Sequence, residues 1–215
     1  MKTFPLKQRA FTLIELMIII VIVLVLVFVL IPNLATAKQR ARNTQCLDNL
    51  KQVGLGFRLW PGDGDRYQMK VPVTQGGVME SIERGNVASV FLVMSNKLST
   101  PKLLWCPAYR SSWVVATFTS GLGNSNVNYF VGIDASETEP QMFLVGDDNF
   151  LIEGQAVKAG VVALATNTPV AWSTTRHNKQ GNIGLADGSV QSVSSAGLQA
   201  GLVATGTNIV RLAFP

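Results

Sequence analysis

Residues 11–31, FTLIELMIIIVIVLVLVFVLI, form a nearly unbroken apolar run that carries a single charge, Glu15. At about 1.5 Å rise per residue the run spans about 31 Å as a helix, the thickness of a bilayer's hydrocarbon core. Its many Ile and Val residues favour a strand in water. In lipid a lone strand leaves its backbone N–H and C=O groups unpaired, so the segment must be helical. A chain that begins this way folds as one membrane-crossing helix with the remainder on one side.

The chain has 215 residues, enough for one ordinary domain beside that helix. Its net charge is +5, but Lys2, Lys7 and Arg9 lie in the first ten residues, and losing them brings it to about +2. No Lys/Arg cluster interleaved with aromatics marks the rest, so no nucleic-acid partner is expected. The basic residues before the run favour a cytoplasmic N-terminus, although Lys38, Arg40 and Arg42 nearly balance them on the other side.

The N-terminus reads as a plain signal anchor, as a secretory signal peptide ending at Ala35-Thr36-Ala37, or as a third class. The signal-peptide reading meets an apolar run longer than the usual ~7–15 residues. The third class rests on Lys7-Gln-Arg-Ala-Phe-Thr-Leu-Ile-Glu-Leu16. This stretch resembles the cleavage and methylation motif of type IV prepilins and type II secretion pseudopilins. The resemblance implies that a prepilin peptidase cuts between Ala10 and Phe11 and methylates the new Phe11 amine. Ala10 stands where the family usually has Gly, and Glu15 and Pro32 stand where the family has its glutamate and a common proline. The implied organisation is a leader (1–10), a transmembrane helix (11–31), an amphipathic continuation (32–60) and a globular head (61–215).

An acid in a membrane helix costs up to a few kcal/mol near the centre and less near an end. Glu15 is either hydrated at the interface or paired. The family resemblance implies pairing with the Phe11 amine of a neighbouring subunit in a filament. Pro32 removes an intrahelical donor, and is read as a kink or break where the helix leaves the bilayer, or as a flexible point used in assembly.

Beyond the span, Leu47, Leu50 and Phe57, with Val53 close by, recur at helical spacing. Pro61-Gly62 ends the pattern. Asp63 and Asp65 begin no complete calcium loop and read as part of that turn. From there the expected strands are Leu103 to Cys106, Asn128 to Gly132, Gln141 to Val145, Val161 to Ala165, Val170 to Ser173 and Ile209 to Ala213. Short helices are expected at 87–95 and 195–203. Asp187-Gly188 predicts a tight hairpin turn. The fold class is α+β, a long N-terminal helix packed on a mainly antiparallel sheet.

A second resemblance covers most of the head. Cys46-Leu-Asp-Asn-Leu-Lys-Gln-Val-Gly-Leu-Gly-Phe-Arg-Leu-Trp60, Met94 to Pro107, Asn128 to Asp134, and His177 followed after nine residues by Asp187-Gly188 are similar to pseudopilin-like chains abundant in Planctomycetes and Verrucomicrobia. Those chains carry a C-terminal H-X9-DG signature. Many of them have an Asp where this chain has Tyr109. The resemblance implies a pilin-like architecture more than an activity.

Cys46 and Cys106 pair in an extracytoplasmic head or remain two buried thiols. His177 is the only histidine. One imidazole falls short of the ligand set of a zinc site, and no nucleophile elbow accompanies Ser173, His177 and Asp187. His177 is read as bridging the loop before the hairpin and Asp187 as making its turn, so no catalysis is expected. Weak calcium candidates are Asp134, Glu137 and Glu139 in one loop and Asp147 and Asp148 in another. Neither has a complete ligand spacing, and solvated turns are the favoured account, with no cofactor expected.

The resulting expectation is a non-enzymatic, self-assembling subunit of a type II secretion pseudopilus or type IV pilus-like filament. It sits in the inner membrane with its head in the periplasm. Its partners are the prepilin peptidase, an inner-membrane assembly platform, membrane lipid and other pilin-like subunits. The rival is a membrane-tethered or filament-tip module that binds an exported protein or a polysaccharide.

Overall fold

The computed structural model describes residues 11–60, 67–109 and 117–215. The leader with Ala10, and the Pro61 to Asp65 turn, lie outside them. The chain divides into two compact units, one ending at Ala41 and one comprising Arg42–Pro215.

Helix α1 (Leu13–Arg58) runs through both units and continues through Pro32 without interruption. Its N-terminal part is exposed on every side, from Leu13 to Ile31. The most apolar stretch has a mean hydropathy of 3.6. A helix that is apolar all round is built for lipid or for other apolar helices rather than for water. Among the described residues it is the one helix long and apolar enough to cross a membrane.

In the second unit α1 becomes one-sided. Cys46, Leu50, Val53 and Phe57 are buried, with at most 1 % exposure. Their spacing of four, three and four residues is one helical face. The stripe therefore runs through Cys46, while Leu47 sits half-buried at its margin. Two short helices, α2 (Met79–Glu83) and α3 (Ala88–Val93), cover the C-terminal end of this stripe through Ile82, Val90 and Phe91.

A six-stranded antiparallel sheet follows. Its strands are β1 (Tyr129–Gly132), β2 (Phe143–Asp147), β5 (Gly160–Ala165), β7 (Gln180–Leu185), β8 (Val190–Ser194) and β9 (Ile209–Phe214), in the order β5-β9-β1-β2-β7-β8. A small second sheet is made by β3 (Phe150–Ile152), β4 (Gln155–Ala156) and β6 (Val170–Trp172), with β3 in the middle. Successive residues of the central strands point to opposite faces. Tyr129 and Val131 join the α1 stripe, whereas Phe130 joins Phe143, Phe150 and Phe214 on the other side. Strands β1 and β2 are buried along their whole length for this reason. Helix α4 (Ser195–Ala204) closes the second face through Leu198 and Leu202. It is capped by Ser194 and tied to β6 by Ser195 Oγ, which accepts from the Trp172 N–H at 3.1 Å.

One local expectation needs correction. Leu103 to Cys106 is no strand. Thr100 caps a 3-10 turn, Pro101–Leu104, whose Pro sits at the start where its missing N–H costs nothing. The tight β7–β8 hairpin at Asp187-Gly188 is present, with a three-residue loop. Leu185 N–H donates to Ser189 O and Gly188 N–H to Leu185 O, both at 2.9 Å. Gly188 alone takes the left-handed conformation, with φ 85°. The architecture is α+β and pilin-like, a long N-terminal helix followed by a mainly antiparallel head.

Candidate functional site

Two places concentrate polar chemistry, one in each unit. The first is the start of α1. Phe11 is 69 % exposed. The Glu15 N–H donates to Thr12 Oγ1 at 3.3 Å, and Thr12 N–H and Oγ1–H reach Glu15 Oε2 at 3.5 and 3.4 Å. This is a capping box, which satisfies backbone donors that the first turn of a helix leaves open. The Thr-x-x-Glu spacing is its sequence signal, and that signal was available at residues 12–15. In an apolar setting these self-made hydrogen bonds lower the cost of keeping a carboxylate at the helix end.

The second place is a buried polar cluster where β2, β7 and α1 meet in the head. Strand β2 ends in Asp147, fully buried. Asp147 Oδ2 accepts from the Asn182 N–H at 2.8 Å and from its side-chain Nδ2 at 3.0 Å. Asn182 Nδ2 also donates to Asn43 Oδ1 of α1 at 3.1 Å, which ties helix to sheet. His177 Nε2 lies 3.4 Å from Asp147 Oδ2 and 3.2 Å from Cys106 Sγ. Cys106 is disulfide-bonded to Cys46, with 5.3 Å between their Cα atoms. The bridge joins the buried face of α1 to the segment after the 3-10 turn.

Arg176 forms the outer wall. It pairs with Asp148, donates to the Asn128 carbonyl at 3.3 Å, and lies 5.1 Å from the centre of the Tyr109 ring. Tyr109 thus gives the guanidinium an aromatic face.

Burial sets the protonation of this cluster. It pushes the His177 imidazole below its ordinary value, so the ring is neutral at neutral pH. The same burial raises Asp147, against the pull of His177, Arg176 and the two Asn182 donors. Among the described residues, His177 Nδ1 and Asp147 Oδ1 have no hydrogen-bond partner. The backbone under His177 is unusual too. His177, Asn178 and Lys179 have φ of 49°, 53° and 62°, a run of three non-glycine residues in the left-handed region.

The structure separates the residue types of a triad. Strand β7 stands between His177 and Asp187, with His177 before it and Asp187 after it. Asp187 Oδ1 accepts from the Ser189 N–H at 2.8 Å and makes the hairpin turn. Ser173 Oγ is engaged with Thr175 Oγ1 at 2.6 Å. The calcium candidates are dispersed as well. Both Asp134 oxygens face Arg211 Nε at 3.1 Å, and Glu137 and Glu139 are exposed. Asp147 and Asp148 are committed to the His177 and Arg176 cluster. The group of metal-ligating atoms that the described residues bring within 4.8 Å of one another is Cys46, Cys106 and His177.

Comparison with known proteins finds one family. Residues 5–31 match the family model of the prokaryotic N-terminal methylation motif. No curated protein and no solved structure matches the chain. The match ends at Ile31, so the head lies outside it. It supports a type IV pilin-like N-terminus, on a helix long and apolar enough to cross a membrane.

Proposed function

We propose that this chain is a structural subunit of a type II secretion pseudopilus or a related type IV pilus-like filament. The N-terminal helix stores the subunit in the inner membrane, with the leader in the cytoplasm and the head in the periplasm. Prepilin peptidase removes residues 1–10 and methylates Phe11. An inner-membrane assembly platform then brings subunits together through their apolar helices. The observation that carries this reading is the methylation motif at residues 5–31, which coincides with a helix exposed and apolar on all sides. Glu15 supplies the charge that meets the Phe11 amine of a neighbouring copy. The likeness of the head to verrucomicrobial and planctomycete chains favours the pseudopilus over an extended pilus.

The test is the mass and N-terminal sequence of the mature protein taken from membranes. A chain that starts at methylated Phe11 carries the proposal. A chain that starts at Lys38 makes the helix a signal peptide, and an intact Met1 makes it a plain anchor. Either result removes the filament reading.

A membrane-tethered or filament-tip binding module is the second reading. One feature favours it, an open groove of about 430 Å³ lined by Gln45, Asn49, Thr100, Lys102, Leu103 and Trp105. Amides, a cation and an indole side by side suit a polar chain such as a peptide or glycan. Copy number separates the two readings, since a shaft subunit is made in large excess and a tip subunit is not.

A further inference from the structure

Cys46, Cys106 and His177 are all buried, and Asp147 stands beside the imidazole. In the oxidised chain the two sulfurs are bonded to each other. Every chain passes through the dithiol form between synthesis and oxidation, and there the same atoms have another partner available. We propose that the dithiol form binds one zinc ion through Cys46 Sγ, Cys106 Sγ and His177 Nε2.

The spacing fits this metal. Zn–S bonds of about 2.3 Å and Zn–N bonds of about 2.0 Å at a tetrahedral angle place S and N roughly 3.5 Å apart. Cys106 Sγ lies 3.2 Å from His177 Nε2, and the ligand atoms of Cys46, Cys106 and His177 all fall within 4.8 Å of one another. Parting of the two sulfurs after reduction opens the centre. The ligand atom is already in place: His177 is buried and its Nε2 lies 3.2 Å from Cys106 Sγ. Two thiolates and a neutral imidazole are donors that zinc takes readily.

The chemistry balances. A dithiol reductant gives two electrons and two protons, the S–S bond breaks, two thiols form, and the reductant becomes a disulfide. Zinc then displaces the two thiol protons to solvent. The metal closes the same link between α1 and the Pro101–Cys106 segment that the disulfide closes after oxidation. The head therefore has two alternative staples, chosen by redox state.

The experiment uses the full chain in detergent micelles, reduced with dithiothreitol that is then removed anaerobically, and titrated with Co²⁺. The expected result is one Co²⁺ per chain, with thiolate-to-cobalt charge transfer and tetrahedral d–d absorption, both erased by stoichiometric Zn²⁺. The oxidised chain gives neither band. His177→Ala weakens binding by more than the ~10- to 100-fold that outer-shell changes cost. Absence of thiolate bands in the reduced chain overturns the proposal, as does equal binding by the oxidised chain or unchanged affinity in His177→Ala. Should His177→Ala fail to fold by circular dichroism, alkylation of the wild type decides. Zinc that shields Cys46 and Cys106 from iodoacetamide supports the site, and full labelling in zinc overturns it.

Discussion

Thr12 and Glu15 close the start of α1 on each other, with the Glu15 N–H donating to Thr12 Oγ1 at 3.3 Å and the Thr12 N–H reaching Glu15 Oε2 at 3.5 Å. The carboxylate thus has work to do in the single subunit as well as in a filament. The two roles separate by substitution. Glu15→Gln keeps an oxygen that accepts the Thr12 N–H but removes the charge. We expect it to insert into membranes at the wild-type level and to yield no filaments, read by fractionation and by shearing of surface or periplasmic fibres. Thr12→Ala removes the cap, costs about 1 kcal/mol at the helix end, and leaves assembly intact. Normal filament yield from Glu15→Gln leaves only the capping role.

The Cys46–Cys106 bridge spans a sequence separation of 60 residues. Closing a loop of that length in the unfolded chain corresponds to about 4 kcal/mol on the chain-entropy model. Reduction in the presence of a chelator, or Cys106→Ala, is expected to lower the unfolding free energy by about 2–4 kcal/mol. Denaturant titration of the detergent-solubilised chain measures it. A loss below about 1 kcal/mol means that the packing of α1 against the sheet holds the head without the bridge.

What the sequence made legible was local. The apolar run at 11–31 announces its helix by length and charge alone, and α3, α4 and the Asp187-Gly188 hairpin follow from patterns that close within a dozen residues. Leu103 to Cys106 misled because a short apolar run does not distinguish a strand from a buried turn. The deciding signal was Thr100-Pro101, a cap followed by a Pro at the first position. Strands β3 and β4 were missed because three and two residues carry no period. The site at Asp147 was beyond local reading. Its partners Asn43, Cys106, His177 and Asn182 come together only through the β2–β7 pairing and the docking of α1. His177 was recognised as a singular residue, and its partner was sought ten residues on, at Asp187, rather than across the sheet.

Tyr67 gives the head a defined alkaline limit. Its hydroxyl donates to the Ala186 carbonyl at 2.8 Å and the ring is 1 % exposed. Burial, with Glu137 nearby, raises its pKa from 10.0 to about 12. The unfolded phenol ionises from about pH 10 while the folded one keeps its proton, so the folded state binds more protons in this window. Stability is therefore full below pH 10 and falls as pH rises toward 12, by about 2 kcal/mol from this residue. Tyr67→Phe is expected to flatten the slope between pH 10 and 12 by that amount, while costing about 1 kcal/mol at neutral pH through the lost hydrogen bond. Unfolding midpoints at pH 8, 10 and 11.5 check it, and an unchanged slope in the variant assigns the alkaline loss elsewhere.

Lys179 tests whether the left-handed run beneath His177 is strained. Its φ is 62° and its side chain is exposed, so the residue brings no packing that a substitution would forfeit. An L-residue in this conformation costs about 1–2 kcal/mol. Glycine avoids that cost but loses about 0.5–1 kcal/mol of extra chain entropy on folding. The difference predicts that Lys179→Gly stabilises the head by about 0.5–1 kcal/mol, whereas Lys179→Ala, which keeps a Cβ, leaves it within about 0.5 kcal/mol of wild type. Thermal or denaturant midpoints of the three chains measure this. Destabilisation by glycine means that the turn is relaxed as it stands. The imidazole of His177 is then held by its contacts with Asp147 and Cys106 rather than by the backbone beneath it.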